Sequence, residues 1–219
     1  MKIILLILNT IIFASDVDHL LLTQIVTQSE DAESISIHNP TDQIINLQNY
    51  YICDDNEYYL ITENTFNSNV ATGYTAQFPN MSIDPGETLI ITFHENYQDF
   101  YGEDFIPDLT LNDFSGQIGF NNLIEEEYEI VILFHWDGTS DIIQDVDYFS
   151  WSISDVNQRG LDKSGISNYK NDTPIENQLH LNQEATMHHA FSRINHEENN
   201  EQDSNGNGIT NHDETSENF

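Results

Sequence analysis

The chain has 219 residues and carries 38 Asp+Glu against 5 Lys+Arg, a formal net charge of −33. That length suits one globular domain with appendages, and 38% hydrophobic residues are enough for a core. Phosphate backbones and anionic membrane surfaces are excluded as partners, because counterion release needs Lys and Arg.

The five bases are Lys2, Arg159, Lys163, Lys170 and Arg193, and none lies between residues 16 and 158, where 27 of the 38 acids fall. Salt bridges formed within that stretch therefore contribute almost nothing, and side-chain amide crosslinks between Lys and Asn within it are ruled out. The single Cys53 allows no internal disulfide and reads as a small buried hydrophobe in a strand.

At the N-terminus, Lys2 precedes the apolar run Ile3–Leu8 and Ile11–Phe13, then small Ala14 and Ser15. This is the layout of a secretory signal peptide over residues 1–15. No later apolar run approaches 18 residues. The expected location is secreted, extracellular or periplasmic, without membrane insertion after cleavage.

The next 137 residues, 16–152, read as short strands between turns. His19–Thr27 is apolar and β-rich, and Ser34–His38 alternates polar and apolar. Asn39-Pro40-Thr41-Asp42 is a turn. Ile44–Leu47, Tyr50–Cys53, Tyr58–Ile61 and Tyr74–Phe78 are expected strands. Asp84-Pro85-Gly86-Glu87 fits a type II turn, after which Thr88–Phe93 resumes as a strand. Gln98–Gly102 suggests a helical turn, and Ile118–Phe120, Glu129–Trp136 and Ile142–Trp151 are strands, with Asp137-Gly138 marking a hairpin. Roughly eight strands without a long helix predict an all-β fold, an antiparallel sandwich. Residues 153–219 form a polar, acidic, mostly irregular C-terminal extension, in which Gln183–Arg193 could make one short helix.

Four segments carry a family resemblance. Glu33-Ser34-Ile35-Ser36-Ile37-His38-Asn39 resembles a Glu-Φ-Ile-Glu-Leu-x-Asn strand, Φ being apolar. Ile45–Asp54 resembles a paired strand of pattern x-Asp-Leu-x-x-Trp-x-Leu-x-Asp, Ile83–Ile91 a Leu-x-Pro-Gly-Glu hairpin, and Asp145–Phe149 a closing Val-Asp-x-Val-x-Tyr strand. In order and spacing they are similar to the lamin-tail domain, an immunoglobulin-like sandwich common in secreted bacterial proteins. Ser36 stands where that family has a second Glu, Tyr where it has Trp, and Lys and Arg are missing from the body. The resemblance implies a non-catalytic structural or adhesive module, its partner an unidentified extracellular protein or glycan.

Candidate sites are few. Glu125, Glu126, Glu127 and Glu129 form an acidic run that reads as a solvated loop. With 38 acids, any two could be named as the carboxylate pair of a secreted hydrolase. Five of nine histidines, His180, His188, His189, His196 and His212, fall in the extension without ordered zinc spacing.

The best chemical motif starts at Asp203. Counted from there, Asp203, Asn205, Asn207 and Asn211 fall at positions 1, 3, 5 and 9, the Ile209 carbonyl at 7, and Glu214 at 12, with Gly208 at 6. That is the spacing of a calcium loop, here with two charged ligands and no helix after it, so millimolar affinity is expected. The alternative function is a calcium-dependent module that binds glycan or a cell surface.

Overall fold

The computed structural model describes residues 17–27, 32–63, 74–118, 124–125, 127–152, 160–183, 190–196, 198 and 205–216. The expected leader, residues 1–15, lies outside them. In chain order the strands are β1 (Leu21–Val26), β2 (Ser34–His38), β3 (Ile45–Asn46), β4 (Tyr50–Cys53), β5 (Tyr74–Gln77), β6 (Ser82–Ile83), β7 (Thr88–Thr92), β8 (Leu109–Thr110), β9 (Ser115–Ile118), β10 (Tyr128–His135), β11 (Gln144–Ser152) and β12 (Ala190–Ser192). The one α-helix described, α1 (Tyr97–Tyr101), is a short connection. Two five-stranded sheets form, ordered β12-β1-β2-β7-β8 and β11-β10-β4-β5-β9, with β3 and β6 as a separate pair. Among the described residues the pairings between these strands are antiparallel except β7 with β8.

Period-two alternation places the main core between the sheets. In β2 and β7, Ile35 lies opposite Ile91 and Ile37 opposite Leu89, all four buried. From the other sheet Tyr50, Ile52, Val131, Leu133, Phe149 and Trp151 meet them. Each such side chain contributes about 1.5–3 kcal/mol when fully buried.

The second sheet buries its outer face as well. Tyr51, Cys53, Ile130, Ile132 and Phe134 form a second apolar cluster with Tyr58 and Leu161. This is why β4 and β10 read as near-continuous apolar runs rather than alternating ones.

Three local expectations change. Tyr58–Thr62 is a 3-10 turn, not a strand. Asp55 accepts the Glu57 N–H at 2.8 Å and the Tyr58 N–H bonds the Asp55 carbonyl at 3.0 Å, so a local turn outcompetes extension. The expected helix across Gln183–Arg193 gives way to β12 at its end, where Phe191 pairs with Ile25 and packs 5.1 Å from Trp151 and 5.6 Å from Phe149; residues 184–189 lie outside those described. Ser115–Ile118 is a strand, whereas Gly119 and Phe120 fall outside the described residues. The turn at 84–87 forms as expected, with Gly86 at φ 75° and the Glu87 N–H on the Asp84 carbonyl.

The described part of the extension is woven into the sandwich. Leu181 exchanges backbone hydrogen bonds with β11, its N–H on the Ser150 carbonyl (2.9 Å) and its carbonyl accepting from Ser152 (2.8 Å). Lower on β11, the Asp145 N–H donates to Asn207 and the Ile209 N–H donates back to the Asp145 carbonyl. Gln178 brackets Leu161, accepting its N–H at 3.0 Å and donating to its carbonyl at 2.7 Å. Among the described residues no helix is long and apolar enough to cross a membrane.

Candidate functional site

Strand β11 carries two buried aspartates, Asp145 and Asp147, in a body without a Lys or Arg to pair them. A carboxylate removed from water without a partner is costly, so cations must come from elsewhere in the chain. A bulge decides where each acid points. Asp147 lies opposite Leu133 and Asp145 opposite Phe134, leaving Val146 as the extra residue. Leu133 faces the main core and Phe134 the outer cluster, so the two aspartates leave opposite faces of one strand.

On the outer face, Asp145 meets Lys163. The Lys163 ammonium, fully buried, stands 2.9 Å from Asp145 Oδ2 and 3.1 Å from Asp172 Oδ2 and donates to the Tyr58 hydroxyl at 2.9 Å. Tyr58 in turn donates to Asp145. Asp172 also accepts the Lys163 N–H at 2.6 Å and the Asn207 amide at 2.7 Å. Burial pushes Lys163 toward its neutral form, but Asp145 and Asp172 more than offset it and raise its pKa. Burial raises Asp172 despite the pull of Lys163, and Tyr58 is held well above its ordinary value by burial and then by Asp145. All three ammonium protons have acceptors, which makes this a clamp rather than a nucleophile.

On the inner face, Asp147 accepts the Leu22 N–H of β1 at 2.5 Å, and both its oxygens accept from Arg193 Nη2, at 2.9 and 3.0 Å. Arg193 also donates to the Leu22 carbonyl (3.2 Å) and to Glu198 Oε1 (3.1 Å). The other Glu198 oxygen lies 2.9 Å from His19 Nε2, and Glu214 Oε2 lies 3.9 Å from the same nitrogen. His19 Nδ1 faces the Leu20 carbonyl at 2.9 Å, and Asp18 and His212 stand beside the ring. Burial works against a charged His19, yet Glu214 and Glu198 together raise its pKa well above the ordinary value.

The calcium-loop residues divide between these two faces. Asp203 lies outside the described residues. Asn205 and Asn211 adopt left-handed backbone, φ 71° and 74°. A β-carbon on Gly206 would stand 1.6 Å from the His212 carbonyl oxygen, so only glycine allows that close approach. Asn207 Oδ1 accepts the Lys170 N–H (2.9 Å), and Asn211 Oδ1 accepts from the Lys170 ammonium (2.6 Å). Ile209 binds β11 through its N–H. Glu214, almost fully buried, lies beside His19. Lys170 thus gathers Asn207 and Asn211, while Glu214 joins the histidine cluster. Nothing local in the sequence pointed to His19, Lys163, Lys170 or Asp172; the signal was that every described cation lies in the extension.

The acidic run behaves differently from a solvated loop at one position. Glu129, half-buried in β10, and Asp54 after β4 are like charges that perturb each other, with Glu125 adding to both. Burial first, then Asp55 and Glu125, lifts Asp54 to about 7, while burial first, then Asp54, raises Glu129 well above its usual range. A carboxyl raised in the folded state opposes folding once ionised. Stability from this pair is therefore highest near pH 4 and falls as pH rises through about 7. Asp54→Asn keeps an oxygen for the Tyr74 N–H, which Asp54 accepts at 2.8 Å. Allowing for partial solvation, it is expected to stabilise the fold by roughly 1–3 kcal/mol at pH 8 and by nothing near pH 4, read by urea denaturation. An equal gain at both pH values would remove the charge explanation.

Cys53 is buried, and burial pushes its thiol well above the ordinary value, as expected for an inert core cysteine. The His196 ring lies tilted against His38, centroids 4.4 Å apart, whereas His188 and His189 fall outside the described residues. No protein-family model matches this sequence, and no curated protein matches it.

Proposed function

We propose that this chain is an exported, non-catalytic structural or interaction module built on a lamin-tail-type immunoglobulin-like sandwich. The strand order supports that type: β1-β2-β7 against β11-β10-β4-β5 follows the A-B-E and G-F-C-C′ order of immunoglobulin sandwiches. The observation that carries the non-catalytic reading is the use of the buried charges. Lys163 and Arg193 each close on aspartates of β11, joining the extension to the sandwich rather than facing a cleft. Its partner is an extracellular protein or a glycan, approached by a strongly acidic surface that favours basic patches.

The calcium-dependent alternative draws support from the tight glycine loop at 205–211 and its two left-handed asparagines. The hydrolase alternative draws on the Asp54–Glu129 pair.

One experiment separates these readings. Expressed from its own start codon in a bacterial host, the protein is expected outside the cytoplasm, with an intact mass lacking the first 14 or 15 residues. That material should bind cell-wall or glycan preparations equally with and without chelator and should not degrade them. Retention of Met1 on cytoplasmic protein would overturn the export reading. Chelator-sensitive binding would favour the calcium module, and degradation abolished by Glu129→Gln would favour the hydrolase.

A further inference from the structure

We propose that Asp18, His19 and His212 form a site for a divalent transition metal of the zinc class, with Glu214 beside His19, joining the start of the sandwich to the end of the extension. This inference is independent of the structural-module reading, and it draws Glu214, a ligand in the calcium reading, toward His19 instead. The carboxylate of Asp18, the ring of His19 and the ring of His212 each offer a ligand atom, all within 4.8 Å of one another. The two rings meet edge-on, with centroids 6.4 Å apart.

The hydrogen bonding of His19 points the same way. With Nδ1 on the Leu20 carbonyl at 2.9 Å, that nitrogen carries the proton. Nε2 then projects toward Glu198 Oε2 at 2.9 Å and Glu214 Oε2 at 3.9 Å. A neutral ring would aim its lone pair at two carboxylates. A proton or a metal ion at Nε2 would relieve that repulsion. A ring N–H held by a backbone carbonyl is the arrangement that orients a metal-ligating histidine. Ligands 2.0–2.1 Å from a tetrahedral zinc ion stand about 3.3 Å apart, so these groups, within 4.8 Å of one another, would draw in to hold one.

The donor chemistry selects the metal. Two imidazoles with carboxylates suit zinc and its transition-metal neighbours, whereas calcium and magnesium prefer all-oxygen shells. Glu198 is a positioning residue, because its second oxygen is held by Arg193, itself fixed on Asp147. Asp18 is exposed and His212 half-buried, so an ion has a route in from solvent past the buried His19. The ligands come from both ends of the described chain, so an ion here would close a loop of nearly the whole domain.

The test uses the tag-free full chain, stripped with chelator and titrated with Zn2+ in about 0.15 M salt, where diffuse attraction to the acidic surface is screened. One equivalent is expected to bind, to raise the melting temperature, and to give way to Co2+ with a visible tetrahedral absorption band. Equal concentrations of Mg2+ or Ca2+ should not reproduce the shift. Asp18→Asn and His212→Gln lie on the more exposed side and should leave folding intact while weakening Zn2+ by roughly 10–100-fold or more. His196→Gln, at the separate His38 pair, should leave it unchanged. A Mg2+ response equal to that of Zn2+, full Zn2+ affinity in His212→Gln, or no stoichiometric binding would each overturn the site. The last result would assign the charge at His19 to a proton alone.

Discussion

Lys163→Met is expected to destabilise the fold by about 3–5 kcal/mol, the cost of leaving buried acids without their cation. The ammonium is fully buried and serves Asp145, Asp172 and Tyr58 at once. Methionine fills much of the volume, so the loss reports charge rather than a cavity. Urea denaturation followed at the tryptophans measures it. The added changes Asp145→Asn and Asp172→Asn should return a large part of the loss, because they remove the stranded charges. A cost below about 1 kcal/mol would mean that water reaches the cluster and behaves there as at a surface pair.

Arg193→Met should cost a similar amount, about 3–5 kcal/mol, by stranding Asp147 on the inner face. Here geometry matters as well as charge. Arg193 spans both Asp147 oxygens, Glu198 and the Leu22 carbonyl, four contacts that a planar fork can make together. Lysine cannot reproduce that fork, so Arg193→Lys is expected to recover less than half of the loss. Near-complete recovery by lysine would show that only the charge counts. The join between extension and sandwich would then rest on the β12 pairing beside Arg193 rather than on its guanidinium geometry.

The strands were legible where local chemistry decides them. Ser34–His38 alternates cleanly, Thr88–Thr92 is a β-rich apolar run, and Pro85-Gly86 fixes the turn between β6 and β7. Tyr58–Ile61 misled because its aromatic, β-branched composition outweighed the Asp55 turn signal. β12 was illegible for a different reason. Phe191 is extended because β1 offers an edge and the Phe149–Trp151 surface a gap, neither of which is visible near residue 191.

The charge inventory told half of the story. It correctly showed a body without bases, and hence no ion pairs formed within it. It did not show that Lys163 returns to Asp145, or that Arg193 reaches Asp147, 46 residues away. The bulge at Val146 that sends those acids to opposite faces depends on β10 and leaves no local signature. The calcium-loop spacing located a real structural junction, but Lys170 and His19, which take up its side chains, lie far from it in sequence.

The central claim is that sandwich and extension fold as one unit, locked by cations that the extension supplies to β11. Native-state hydrogen exchange tests it most directly. The amides of Leu181, Arg193 and Ile209 bond Ser150, Thr23 and Asp145 of the sandwich. They should open with the same free energy as the β10–β11 amides, and Lys163→Met should lower both groups together. Fast exchange at those three amides while β10–β11 stays protected would contradict the account and make the extension a separate, loosely attached segment.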